Sequence, residues 1–232
     1  MFQLKPMKGI FNYLVALIIG IFLMACERGE TAEESPVSEV TTENELEIFQ
    51  GKIDTVLMAK PVWINHWSEV VGLISGEDFE LILTDSIDPM EMPEANPIKE
   101  GDPLFPYQFL HPKGKGTIDI YQYKVEAQEI LDQPFLNPDS EVIWYRADGM
   151  RERLLFMGPS GMFEDGYWLN ENEFVVLGYF QEDQGFRPMV WVIDVNKHRF
   201  RQFRLTKGTE TYLPESYLDK KLKAVDLTSN GI

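Results

Sequence analysis

The side chains best suited to chemistry are sparse in this 232-residue chain, which has one cysteine and three histidines. His66, His111 and His198 stand apart from one another, and no HExxH pattern or other His-carboxylate spacing occurs. Zinc sites are built from several clustered His and Cys ligands. The sequence therefore predicts no zinc site and no cofactor.

One group of acidic residues has the composition of a calcium loop. Asp85, Asp88, Glu91 and Glu94 follow one another closely. They lack the central glycine and the alternating ligands of an EF-hand loop, and prolines interrupt them. We expect a solvated acidic loop rather than a metal site.

A serine between two glycines invites comparison with a nucleophile elbow. That pattern needs a glycine two residues before the serine and another two residues after it. Here Gly158 precedes Ser160 at the right distance, but Met162 stands where the second glycine is required. We interpret the segment as a plain turn and predict no catalytic residue.

The segment WINHWSE, residues 63–69, holds the best candidates for ligand contact. Tryptophan rings can stack on sugars, and Trp63 and Trp67 flank His66. Trp144 and Trp191 instead lie in apolar, strand-like runs and are expected in the core. We therefore assign a candidate ligand surface to Trp63, His66 and Trp67.

The balance of charge excludes some partners. The chain has 21 basic and 38 acidic residues, a formal charge of −17. Binding to phosphate backbones and anionic lipids depends on clustered Lys and Arg. Nucleic acid is not an expected partner, and any association with a membrane must come from something other than charge. With one cysteine, no disulfide can form within the chain.

Residues 1–25 have the layout of a secretory signal peptide. Lys5 and Lys8 precede an apolar run from about residue 10 to Ala25. The run is shorter than the ~20 apolar residues of a spanning helix, and Glu27 follows it instead of a basic cluster. We predict that this segment is a cleaved export signal.

The four residues Leu23-Met24-Ala25-Cys26 resemble the lipobox of bacterial lipoproteins. The resemblance implies that Cys26 receives a diacylglyceryl group, that the signal is cut before it, and that the new amino terminus is acylated, for example with palmitate. Two or more acyl chains hold a protein stably at a membrane, whereas one does not. A reactive thiol is the weaker interpretation, because Glu27 and Glu30 would raise its pKa.

Position 27 bears on where such a protein resides. In the lipoprotein family an aspartate after the cysteine often retains the protein at the inner membrane of double-membrane bacteria. This chain has Glu27 there. The resemblance therefore favours the outer membrane, with orientation towards the periplasm or the outside left open.

Residues 26–47 are rich in glutamate, with few large apolar groups. Such a composition cannot bury enough apolar surface to offset its conformational entropy. We predict a disordered tether, spanning roughly 25 Å as a flexible coil, between the lipid and a domain at residues 48–232.

That domain has the pattern of antiparallel β structure. Residues 141–158 form a hairpin in sequence, with Asp148-Gly149 at its turn. The run 173–180 is apolar on both faces, as an inner strand requires. Further strands are predicted at 69–75, 79–86, 116–125, 187–195 and 198–205, and a helix only near the end, within 212–223. The arginines of the last strand, Arg199, Arg201 and Arg204, indicate a sheet edge.

Three segments, FLHP at 109, FLNPDSEVIWY at 135 and WLNENEFVVLGY at 168, each place a turn before a strand. With residues 191–206 they resemble blades of the TolB-type β-propeller. Their spacings of 26 and 33 residues are shorter than the ~40 of a four-stranded blade. We expect a mainly β fold of antiparallel sheets, sandwich-like or an incomplete propeller, with a small closed propeller as the alternative.

A proline-rich segment, residues 85–115, is expected to form a long loop, either functional or packed by its own apolar side chains.

The leading hypothesis is a lipid-anchored cell-envelope protein whose β domain binds a protein or glycan partner, without chemistry of its own. The alternative is a carboxylate-dependent glycan hydrolase. A hydrolase requires acidic residues converging in a pocket, with a raised pKa on one, whereas an interaction module requires an exposed apolar patch.

Overall fold

The computed structural model describes residues 38–128 and 133–222, with side chains described over 43–125 and 136–222. The signal peptide at 1–25, Cys26 and the first part of the predicted tether, to residue 37, lie outside the described residues. The strands and the core belong to one compact unit, Thr42–Ile232.

Three α-helices and twelve strands make up the described chain. The helices are α1 (Ser38–Ala59), α2 (Pro61–Val71) and α3 (Tyr217–Lys221). The strands are β1 (Phe79–Ser86), β2 (Met92–Pro93), β3 (Phe109–Leu110), β4 (Gly116–Asp119), β5 (Val125–Gln128), β6 (Gln133–Leu136), β7 (Ser140–Arg146), β8 (Met150–Met157), β9 (Gly161–Trp168), β10 (Glu173–Glu182), β11 (Gly185–Asp194) and β12 (Arg199–Leu205). None of the described helices is both long enough and apolar enough to cross a bilayer.

The strands form two antiparallel five-stranded sheets and one small hairpin. Sheet A has the order β1-β12-β11-β10-β9, sheet B has the order β2-β8-β7-β4-β3, and β5 pairs with β6. Neither sheet closes into a ring. The predicted mainly β, sandwich-like fold with a short C-terminal helix is confirmed.

Sheet A is the middle layer of three. Along β10, Phe174 and Val176 pack towards sheet B, while Val175 and Leu177 pack towards helices α1 and α2. This is the alternation that a strand imposes on its side chains. The predicted inner strand at 173–180 is confirmed, because β10 lies between β9 and β11.

Helix α1 corrects part of the tether prediction. It begins at Ser38, so residues 38–47 are helical rather than disordered. The reason lies further along the same helix, where Phe49, Ile53 and Val56 are buried at helical spacing against sheet A. Burial of that apolar stripe stabilises a helix whose first half is acidic.

Helix α2 corrects the strand predicted at 69–75. Pro61 occupies the first turn and Gly72, with φ 80°, ends the helix after Val71. The β-branched pair at 70–71 favours a strand locally. Burial of Trp63 and Trp67, four residues apart on one helical face, overrides that preference.

Strand β12 is not the sheet edge that its arginines predicted. It pairs with β11 on one side and with β1 on the other. Arg204 is neutralised by Glu80 of β1, with 2.6 Å between Nη2 and Oε1, and Arg201 lies over the ring of Phe49. Arg201 and Arg204 thus contact neighbouring elements, and the edges of sheet A are β1 and β9.

The predicted turns are confirmed. Gly149 has φ 88° in the turn between β7 and β8, a conformation that glycine adopts without strain. A second turn joins β11 and β12 at Asn196-Lys197.

The proline-rich segment is not a free loop. It contributes β2, β3 and a single 3-10 turn at Phe105–Tyr107. Ile98 and Leu104 are buried in the core that the two sheets share. This packing holds the segment against sheet B.

We predict that Gly178→Ala destabilises the fold. A Cβ at this position in β10 would lie 2.1 Å from the carbonyl oxygen of Met162 in β9, so the two strands would have to separate. The free energy of unfolding should fall by about 1–3 kcal/mol in urea titrations. The matched control is Gly51→Ala in α1, where a Cβ meets nothing within 4 Å and a gain of about 0.5–1 kcal/mol is expected. Equal effects of the two changes would contradict the prediction.

Candidate functional site

A concave acidic site lies on the face of sheet B that turns away from sheet A. Val142 and Trp144 of β7 belong to the core, so Glu141, Ile143 and Tyr145 face the other way. Asp119 of β4 stands opposite Ile143 and lines the same space. The cavity has a volume of about 340 Å³. We call it the acidic cavity, with polar lining from Glu94, Asp119, Gln122, Tyr123, Glu141, Tyr145 and Arg151.

Asp119 is the most constrained of these groups. Its Oδ2 accepts hydrogen bonds from the backbone N–H groups of Tyr121 (3.2 Å) and Gln122 (2.9 Å). Its Oδ1 has no hydrogen-bond partner among the described residues, although the side chain is only 3 % exposed. Burial raises the pKa of this carboxyl to about 6, against the lowering effect of the two backbone hydrogen bonds.

The other two carboxylates have basic partners. Glu141 accepts hydrogen bonds from Arg151 Nη2 and Arg153 Nη1, each at 3.1 Å. Glu94 lies 3.6 Å from Arg151 Nε. Asp119 has no such ion pair in the part of the chain that the structure describes.

Two of the neutral groups in the polar lining bind each other. The hydroxyl of Tyr145 donates to Oε1 of Gln122 at 3.1 Å. Burial raises the pKa of Tyr145 to about 12, so the hydroxyl keeps its proton at neutral pH. The cavity thus combines several acceptor oxygens with one guanidinium, a set suited to ligands that donate hydrogen bonds.

The residues predicted as a ligand surface are not on the surface. Trp63, His66 and Trp67 are 0, 1 and 1 % exposed beneath α2. Their helix packs its aromatic face onto sheet A, which removes the rings from any ligand. His66 Nε2 lies 3.2 Å from the hydroxyl of Tyr212, and burial lowers the pKa of His66 to about 4.

The two tryptophans instead bind a buried carboxylate. Both indole Nε1 groups, of Trp63 and of Trp67, donate to Oε2 of Glu164 at 2.8 Å. The hydroxyl of Tyr212 donates to Oε1 at 2.6 Å. Burial raises the pKa of Glu164 to about 7 despite these three donors. The arrangement fastens α2 and the C-terminal segment to β9.

A β-bulge brings a second acid to the same side. Leu177 pairs with Asp165 and Gly178 with Phe163, which leaves Glu164 as the extra residue of β9. Asp165 is 1 % exposed and binds Lys60 Nζ at 2.9 Å, with Lys221 and Tyr217 as further partners. No strand was predicted at GMFEDGYW, 161–168, where two consecutive acids interrupt the apolar alternation.

The remaining histidines are held in polar networks. His111 Nε2 lies 2.8 Å from the carbonyl oxygen of Glu171, and its Nδ1 accepts from the backbone of Lys113. His198 Nε2 lies 2.9 Å from Oε2 of Glu152. Neither histidine has a candidate partner close to it in sequence, but each has hydrogen-bond partners in the folded structure.

Among the residues described, no group of three His, Cys, Asp or Glu side chains is arranged to hold a metal ion. Glu91 and Glu94 pair with Arg146 and Arg151 respectively. The predicted solvated acidic loop is thus tied to sheet B by ion pairs.

Comparison with protein-family models found no match, and comparisons with curated proteins and with solved structures also found none. The site is therefore interpreted from its geometry.

We predict that Glu164 makes stability depend on pH. Because its folded pKa is raised from an ordinary 4.5 to about 7, the folded state holds this proton more tightly than the unfolded state. Its contribution to the free energy of unfolding is largest below pH 4.5 and falls as pH rises towards 7, by on the order of 3 kcal/mol.

Glu164→Gln, which keeps an acceptor for the indoles but cannot ionise, should remove this fall. Urea unfolding at pH 5 and pH 8 measures the difference, and Glu43→Gln, an exposed change in α1, is the control. The prediction is wrong if the Gln variant keeps the wild-type pH dependence.

Proposed function

We propose that this chain is a lipid-anchored cell-envelope protein whose β domain is a binding module, with the acidic cavity as its ligand site. The anchor rests on the signal-like residues 1–25 and the lipobox-like sequence that ends at Cys26. Glu27 at the sorting position supports residence at the outer membrane of a double-membrane bacterium. The ligand proposed is a small, hydroxyl-bearing molecule of the kind found in envelope glycans.

One observation carries the binding proposal: Asp119 lines a cavity of about 340 Å³, and its buried Oδ1 lacks a partner among the described residues. Buried polar atoms in native proteins nearly always have a hydrogen-bond partner. A ligand hydroxyl supplies the missing donor, and Gln122 and Tyr145 line the same cavity. The volume lies within the range of small-molecule sites.

A second candidate function is glycan hydrolysis, favoured by the raised pKa of Asp119 next to a second carboxylate. Asp119 could act as an acid, and Glu141, held between two arginines, as an ionised partner. Binding is the better supported of the two. Asp119 is 3 % exposed with one oxygen fixed to the backbone, and each oxygen of Glu141 already accepts from an arginine.

An exposed apolar feature also fits an interaction module. Leu81, Ile82 and Leu83 of the edge strand β1 are each more than two-fifths exposed. Exposed apolar edge strands are places where other chains pair. The acidic cavity remains the primary proposal, because its chemistry specifies a type of ligand.

Replacing Cys26 by Ser should abolish lipid labelling and release the protein from the membrane fraction, because no acyl chain can then be attached. The measurement is metabolic labelling with a fatty-acid analogue together with fractionation. Ser38→Ala, outside the lipobox, is the control. A Cys26→Ser variant that stays in the membrane fraction would disprove the anchor.

Asp119→Asn should abolish saccharide binding. The amide keeps one oxygen for the two backbone N–H groups and puts an NH₂ donor where an acceptor stands. Calorimetric titration with a panel of neutral and charged mono- and disaccharides should show at least one saturable ligand for the wild type. The exposed change Asp148→Asn, in the turn between β7 and β8, should leave that binding unaltered.

Chromatography of the same mixtures separates the two functions. Unchanged saccharide after prolonged incubation supports binding alone, whereas cleavage that is lost in Asp119→Asn supports hydrolysis. A panel without any ligand affected by Asp119→Asn overturns the proposed site.

A further inference from the structure

We infer that the acidic cavity takes a ligand bearing a primary ammonium group, with the cation placed against Asp119. This inference rests on the proposed function, since it names the charge that the ligand of the same site must carry. It follows from which charged groups around the cavity have ion-pair partners and which do not.

The described lining carries three carboxyl groups, of Glu94, Asp119 and Glu141, and one guanidinium, of Arg151. Arg151 forms ion pairs with Glu141 and Glu94, and Arg153 forms a second ion pair with Glu141. The deepest acid is left without a basic partner within the described chain. Burying an unpaired charge is costly, so a ligand cation stabilises the ionised site.

Hydrogen-bond geometry favours an ammonium over other cations. Oδ2 of Asp119 is occupied by two backbone N–H groups, and Oδ1 remains for one strong donor. An ammonium has three N–H donors and no acceptor. Two further acceptors line the same cavity for its other protons: the hydroxyl oxygen of Tyr145, whose own proton is directed to Gln122, and the half-exposed carboxylate of Glu94. Charge-assisted hydrogen bonds of this kind are about twice as strong as neutral ones.

The same charges argue against other ligands. An anion would meet the unpaired carboxylate of Asp119, because Arg151 and Arg153 are already paired with Glu94 and Glu141. A neutral hydroxyl can donate to Oδ1 but leaves the carboxylate without a counter-charge. The cavity volume of about 340 Å³ suits a molecule of monosaccharide size.

Binding of a cation must be linked to the ionisation of Asp119. The groups that surround it are Asp102 and Glu94 of the proline-rich segment, Tyr123, the β7 residues Glu141 and Tyr145, and Arg151 of β8. The carboxyl is protonated below pH 6 and ionised above it. A cation favours the ionised form, so affinity for the ammonium ligand should rise as pH increases through 6, with release of a proton on binding at lower pH.

The test is calorimetric titration of the full chain with three sugars that share a ring: glucosamine, glucose and N-acetylglucosamine. At pH 7 glucosamine should bind about tenfold more tightly than the two neutral sugars, the gain of one charge-assisted contact. At pH 5 the advantage should shrink. A fourth titrant, 1,5-diaminopentane, distinguishes an amino sugar from a simple alkylamine. Equal affinities for 1,5-diaminopentane and glucosamine would show that the sugar ring contributes nothing to binding.

Two variants fix the position of the cation. Asp119→Asn should remove the preference for glucosamine. Glu94→Gln removes the charge of a half-exposed lining carboxylate and should weaken glucosamine about threefold more than it weakens glucose. Asp148→Asn is the control for both.

The outcomes separate this inference from the function beneath it. Equal binding of glucose and glucosamine, with loss of both in Asp119→Asn, overturns the ammonium ligand and leaves the binding site standing. Preference for glucosamine that survives both Asp119→Asn and Glu94→Gln overturns the placement of the cation. Absence of binding by any saccharide or amine overturns the binding site itself.

Discussion

Sheet A is covered on one face by helices α1 and α2 and on the other by sheet B, so its inner strands have no face left for solvent. Apolar side chains of β10, β11 and β12 fill both interfaces. Burial of apolar area on two sides is the main stabilising contribution available to this fold, which contains no disulfide. Each polar group that enters these layers must therefore find its partners inside the protein.

Strand β9 shows how that requirement is met. It lies at the edge of sheet A, where a bulge turns Glu164 and Asp165 to one side. Glu164 receives two indole N–H groups and a tyrosine hydroxyl, while Asp165 receives lysine ammonium groups. The donors come from α2, from Lys60 just before it, and from the C-terminal segment. These hydrogen bonds give the helical layer a fixed position on the sheet that apolar packing alone would leave less specific.

Sheet B differs from sheet A, because only one of its faces packs against another layer. Its other face can therefore hold a functional site. The alternation along β7 sends Val142 and Trp144 into the core and Glu141 and Tyr145 outward. The outward face is then walled by the proline-rich segment and by the chain that follows β4. A rigid strand scaffold with irregular walls is a common setting for binding sites.

Much of this architecture follows from sequence periodicity. The hairpin at 141–158, the inner strand at 173–180 and the strand at 79–86 were predicted from alternation and turn residues, which act locally. Helices α1 and α2 were missed or misassigned because their stability comes from burial against sheet A, a contact distant in sequence. The arginines of β12 led to a wrong prediction of a sheet edge for the same reason. Glu80, the partner of Arg204, lies more than a hundred residues away in the sequence.

The candidate site was harder to predict than the fold. Asp119 alternates with apolar neighbours in GTIDIYQ, 116–122, which indicates an outward-facing acid but not its burial. Its loss of solvent depends on residues from four separate segments, and no spacing rule connects them. Trp63 and Trp67 drew attention as exposed aromatic rings, although four-residue spacing on a helix equally indicates a buried face with two aligned indole donors.

The two carboxyl groups with raised pKa values differ in what surrounds them, and this difference separates structure from function. Both are desolvated, and burial is the main cause of the shift in each. Glu164 has donors on both oxygens, so an added ligand would have nothing to satisfy. Asp119 has donors on one oxygen, no basic partner in the described chain, and a cavity beside it. A raised pKa reports desolvation in both places, and the unfilled hydrogen-bonding capacity beside a cavity is what points to a ligand.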